Sequence, residues 1–132
     1  IQAHGGIVDG KLRFGGEEST VGSNRALLVS NFTVDTRGFQ YLRFKYYTEN
    51  NNVPANAPSL GIGPAGWSET VNASVSLIKQ NGTSAVQTVT LNLSNYQGVY
   101  AIKGKWGFSG NTNNNPYWAG RKCWVTEIYM YA

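Results

Sequence analysis

Cysteine and histidine are almost missing from this 132-residue chain, which holds only Cys123 and His4. A lone cysteine cannot close an intramolecular disulfide, so folding does not depend on oxidation and cysteine pairing says nothing of the compartment. Cys123 lies in a strand-like run with no histidine beside it to lower its pKa, and it reads as a buried, inert thiol. Charged residues are few, at 14% of the chain, and runs of Leu, Ala, Glu and Lys that would favour helices are scarce. No apolar run reaches the length of a membrane-spanning helix, so no membrane insertion is expected. No signal-peptide pattern opens the chain, and the start at Ile1 without Met leads to the expectation of a processed or excised piece of a larger multidomain protein.

What is present is Gly, Asn, Ser, Thr, Tyr and Val, the composition of strands joined by many turns. A chain of this length can bury its own core, and residues 1–132 are read as a single domain. The formal charge of +4 raises the question of nucleic acid, but the Lys and Arg residues are spread along the chain without a dense basic run or a recognition motif. No nucleic-acid partner is expected. Mild attraction to an anionic polymer such as a bacterial wall glycan stays open.

The clearest strand is 41–47, where Leu42, Phe44 and Tyr46 alternate with Arg43 and Lys45. Residues 71–78 and 84–93 flank Gln80-Asn81-Gly82 and predict a hairpin, with Val89, Leu91 and Leu93 inward on its second arm. Residues 99–108 predict a strand with Tyr100, Ile102, Trp106 and Phe108 on one face and Lys103 and Lys105 on the other. The last strand, 122–131, breaks parity between Val125 and Ile128, which a bulge or burial on both faces would explain. Shorter strands are expected at 6–8, 12–14, 26–29 and 32–34, the first two joined by an Asp9-Gly10 turn. No stretch shows a helical stripe. The fold expected is all-β, a two-sheet antiparallel β-sandwich of jelly-roll type, with Leu42, Phe44, Val89, Leu91, Ile102 and Ile128 in its core.

Two long irregular segments interrupt this rhythm, 49–67 and 109–121. Segments of that length without structure of their own are usually functional or disordered, and Trp67, Tyr117 and Trp118 argue against disorder. Hydrolytic chemistry finds no support. His4 sits near a terminus, and Asp9, Glu17, Glu18, Asp35, Glu49, Glu69 and Glu127 form no calcium loop or catalytic motif. Glu127 lies inside the apolar last strand and needs a basic partner or a wet face. Gly61, Gly63 and Gly66 lie among prolines, which is not the setting of a phosphate loop. No metal and no cofactor are expected.

Aromatic and amide chemistry remains. Sugars present flat C–H faces and a rim of hydroxyls, which proteins hold with Trp or Tyr rings and with Asn, Gln, Asp, Arg or Lys side chains. Trp118 is read as the stacking ring, with Tyr117 beside it and Trp67 across the groove, and with Asn113, Asn114, Asn115 and Arg121 directed at hydroxyls. The other reading of Trp67, Tyr117 and Trp118 is that they cover the open ends of the sandwich. Trp106 and Trp124, embedded in strands, are read as core. Four Asn-X-Ser/Thr triplets, at Asn31, Asn72, Asn81 and Asn92, arise readily in a chain so rich in Asn and Thr and carry no weight.

The order GIVDGKLRF, FQYLRFKYY, TVTLNLSNYQGVYAIKG and CWVTEIYMY resembles the carbohydrate-binding β-sandwich modules of tail and baseplate proteins of phages that infect Gram-positive bacteria. It is similar also to non-catalytic modules attached to bacterial glycosidases. The resemblance implies a jelly roll, recognition of a cell-surface or cell-wall polysaccharide or oligosaccharide, no catalysis, and an extracellular, secreted or virion-surface location. The alternative is a structural or assembly domain of a tail or surface protein that binds protein partners only.

Overall fold

A computed structural model describes residues 3–4, 6–15, 25–50, 57–78, 82–83, 85–107 and 121–132. They form β1 (Ala3–His4), β2 (Gly6–Val8), β3 (Lys11–Gly15), β4 (Arg25–Asp35), β5 (Tyr41–Asn50) and β6 (Ser59–Gly63). Then follow β7 (Ala73–Ser76), β8 (Gly82–Thr83), β9 (Gln87–Asn92), β10 (Val99–Gly107) and β11 (Lys122–Tyr131), with no helix among the described residues.

The strands form two sheets. One runs β1-β4-β10-β6-β7; in the other β2-β3-β11-β5 continues into β8 and β9, which pair with successive stretches of the free edge of β5. All pairings are antiparallel except the two-residue contact of β1 with β4. With the longer strands β3, β4, β5, β6, β7, β9, β10 and β11 numbered one to eight, the sheets read 1-8-3-6 and 2-7-4-5, two interlocked Greek keys that make a jelly roll.

Alternation fills the space between the sheets. Phe14, Leu42, Phe44, Tyr46, Leu91, Cys123 and Val125 from one sheet meet Leu28, Leu60, Ile62, Ile102 and Trp106 from the other. Val89 and Ile128 pack against this cluster while only partly buried. Full burial of one such side chain contributes about 1.5–3 kcal/mol. The Asp9-Gly10 turn is as expected: both residues have positive φ, 51° and 75°, and close the β2–β3 hairpin with Val8 opposite Lys11. In β11 the register against β5 shifts between Val125 and Glu127, so a bulge restores Ile128 to the core side and turns Glu127 outward onto Lys45 at 3.2 Å.

Two expectations are corrected. The arms of the expected hairpin do not pair with each other. β7 joins β6 in one sheet and β9 joins β5 in the other, so the chain crosses the sandwich between them. The segment read as irregular from residue 49 to 67 contains β6, whose Leu60 and Ile62 face the core. Gly61 is required there, because a Cβ would lie 2.0 Å from the Ala73 carbonyl oxygen of β7. Trp124, read as core, is buried as expected, on the side of β11 away from the central cluster and stacked on Tyr47 with centroids 5.9 Å apart. Phe108 lies outside the described residues.

Candidate functional site

The strands expected at 26–29 and 32–34 are one strand, β4, interrupted by a bulge. Lys103 pairs with Val29 but Ala101 with Thr33, so β4 carries an excess of chain at 30–32. Ser30 repairs the ladder there. Its hydroxyl accepts the Ile102 N–H at 2.9 Å and donates to the Phe32 carbonyl at 2.6 Å. The bulge brings Asn31 and Phe32 to the surface, and Phe32 is 40% exposed.

The connection from β6 to β7 passes over the outer side of β10, where Lys103 sits. Lys103, on the face opposite Ile102 and Trp106 as expected, is nevertheless buried. Its ammonium donates to the Gly66 carbonyl at 3.3 Å and to the Ser68 carbonyl at 3.1 Å, and the Ser68 hydroxyl oxygen lies 3.4 Å away. Burial pushes its pKa below the ordinary lysine value. Lys103 thus grips the backbone on both sides of Trp67, and the apolar stem of a lysine suits a covered position whose head meets carbonyls.

Trp67 is 56% exposed and borders a cleft of about 290 Å³ formed by residues 29–33 of β4 and 65–67 of the connection. None of these lining residues is charged. Ser30, Asn31 and Thr33 supply polar groups against a mainly apolar wall, so the arrangement can hold a neutral ring that has an apolar face and a hydroxyl rim. Four of the described carboxylates, Asp35, Glu49, Glu69 and Glu127, lie elsewhere, with cations as partners. Asp35 is paired with Arg37 at 2.6 Å, and hydrogen bonds from Arg37 lower its pKa to about 2. Glu127 faces Lys45, Glu49 faces Lys122 at 3.8 Å, and Glu69 faces Lys105 at 4.0 Å. No cluster of potential metal ligands occurs among the described residues.

Of the residues expected at the site, Trp67 is at the cleft. Arg121, expected to direct hydrogen bonds at sugar hydroxyls, is fully buried at the position just before β11. Tyr117, Trp118, Asn113, Asn114 and Asn115 lie outside the described residues. Asn31, Phe32 and Thr33 were not anticipated, yet the sequence holds a signal for them: Ser30-Asn31 interrupts two apolar runs that prove to be one strand.

No family model matches the chain, and no curated protein matches it. Among solved structures the chain is similar to one described as "CBM4 structure and function", at 10% identity and a TM-score of 0.46, over 96% of this chain and 74% of that one.

Proposed function

We propose that this chain is a non-catalytic carbohydrate-binding module that recognises a polysaccharide on a cell surface or cell wall. The observation that supports it is the half-exposed Trp67 side chain at the border of an uncharged cleft lined also by Asn31 and Thr33. A pyranose would lay its C–H face on Trp67 and direct hydroxyls to Asn31 and Thr33. Trp118 and Tyr117, with Asn113, Asn114 and Asn115, remain the proposed stacking and hydrogen-bonding groups of the segment between β10 and β11. A second reading has its own observation. Ile7, 59% exposed, lies next to Phe32 along a groove that continues from the cleft toward Ile128, an apolar surface that would suit a protein partner.

A glycan array that includes purified wall polysaccharides tests the proposal. Trp67→Ala should fold as the parent does and lose about 1–3 kcal/mol of binding, roughly ten- to a hundredfold in affinity. Binding that survives Trp67→Ala unchanged would remove the cleft from the account. A chain that binds no glycan, yet captures a protein partner sensitive to Ile7→Ser, would support the second reading.

A further inference from the structure

The opposite outer face of the sandwich has a different chemistry. On the β3–β11–β5–β9 sheet, the register places Tyr131 beside Tyr41, Tyr129 beside Arg43 and Trp124 beside Tyr47, all on the side away from the core. Tyr41 and Tyr131 have ring centroids 5.2 Å apart, and Tyr129 lies 6.1 Å from Tyr131. Arg43 is set among them, 4.8 Å from the Tyr131 centroid, and donates to the hydroxyls of Tyr129, Tyr131 and Thr90. At the far end of the stripe, Lys11 Nζ is 5.7 Å and the Arg13 guanidinium 5.5 Å from the Trp124 ring. From Tyr41 to Tyr47 the stripe extends about 20 Å at the rise of a strand.

The charges on this face do not cancel. Lys45 and Lys122 are matched by Glu127 and Glu49. Arg43, Lys11 and Arg13 have aromatic rings and neutral hydroxyls as neighbours, and none has a carboxylate within ion-pair distance among the described residues. Arg13 Nε is buried without a hydrogen-bond partner among the described residues. A surface with unmatched cations at its two ends, rings between, and Thr88, Thr90 and Asn92 along β9 is complementary to a chain of sugar rings bearing spaced carboxylates.

We propose that this face binds an acidic polysaccharide, its sugar rings laid on the half-buried tyrosine rings and its carboxylates held by Arg43 at one end and by Lys11 and Arg13 at the other. The proposal rests on the reading of the chain as a glycan binder and adds a second surface with its own ligand class. The Trp67 cleft takes the neutral part of that chemistry. The sheet face takes the charged part.

Affinity electrophoresis of the whole chain through polygalacturonate, alginate and hyaluronan tests it, with the carboxyl-reduced form of each polymer and single-stranded DNA as comparators. At least one acidic glycan should retard the protein, its reduced form should not, and added salt should weaken the effect. Arg43→Gln and Lys11→Gln, each checked for folding by circular dichroism, should weaken retardation about tenfold. Arg43→Lys should recover part of it. Retardation by none of the acidic polymers, equal retardation by reduced polymers or DNA, or indifference to both charge variants would overturn the proposal. Loss with Trp67→Ala but not with Arg43→Gln would also overturn it, while leaving the glycan reading standing.

Discussion

At the residue scale, side chains were legible where strand parity alone decides their environment. Cys123 reads as an inert thiol, and it is fully buried, with its pKa pushed far up by desolvation. It should resist thiol reagents in the native protein and react only on unfolding. Cys123→Ser should keep ligand binding and cost about 1–3 kcal/mol, because the hydroxyl enters the core; fast labelling of the native protein would contradict this. The burial of Lys103 was not legible. Parity places it on an outer face, but whether that face is wet depends on what lies over it, here a loop far away in sequence. Thr36 was also silent in the sequence. Its buried hydroxyl donates to the Tyr96 carbonyl and accepts the Gly98 N–H at 3.0 Å, tying the β4–β5 turn to the β9–β10 connection. Thr36→Val keeps the shape and leaves those groups unpaired, so urea denaturation should show a loss of about 1–3 kcal/mol.

At the element scale, alternation reveals that a strand exists and which face it buries, but not the sheet it joins. The Asn81-Gly82 signal was read as a hairpin because a crossing between sheets and a tight turn within one use the same residues. β6 was missed because two of its three outward positions are glycines and prolines border it, although Leu60 and Ile62 keep the period of two. The bulge in β11 was legible, since a parity break inside an apolar strand has few other solutions. The connection held by Lys103 gives the prediction that belongs to this scale. Lys103→Met removes the bonds to the Gly66 and Ser68 carbonyls but also the burial of a charge, so global stability should change by within about 1 kcal/mol. Hydrogen exchange at residues 66–70 should accelerate and glycan affinity should fall. Its pH dependence has a definite sign. With the folded pKa below the unfolded one, the unfolded state holds more protons between the two values, so the contribution of Lys103 to stability rises with pH through that window. This component should be absent in Lys103→Met.

At the scale of the whole molecule, the jelly roll explains why the surfaces differ. Interlocking the strands in the orders 1-8-3-6 and 2-7-4-5 leaves each sheet one face for the common core and one for solvent. The outer face of the β4–β10–β6 sheet is crossed by the Trp67 connection and opens into an uncharged cleft at the β4 bulge. The other outer face stays uncrossed among the described residues and displays its rings and cations along β5 and β11. The architecture was legible because it follows from the number and spacing of alternating segments. The cleft was legible only in Trp67, because its other wall depends on a bulge set by one serine hydroxyl. The central claim is that Trp67 and residues 29–33 together hold a sugar. An NMR titration of ¹⁵N-labelled protein with an oligosaccharide selected on the glycan array tests it most directly. Saturable shifts of the Trp67 indole N–H and of the amides of residues 29–33 and 65–67 are the predicted result; no array ligand at all, or a bound oligosaccharide that leaves those resonances unmoved, would contradict it.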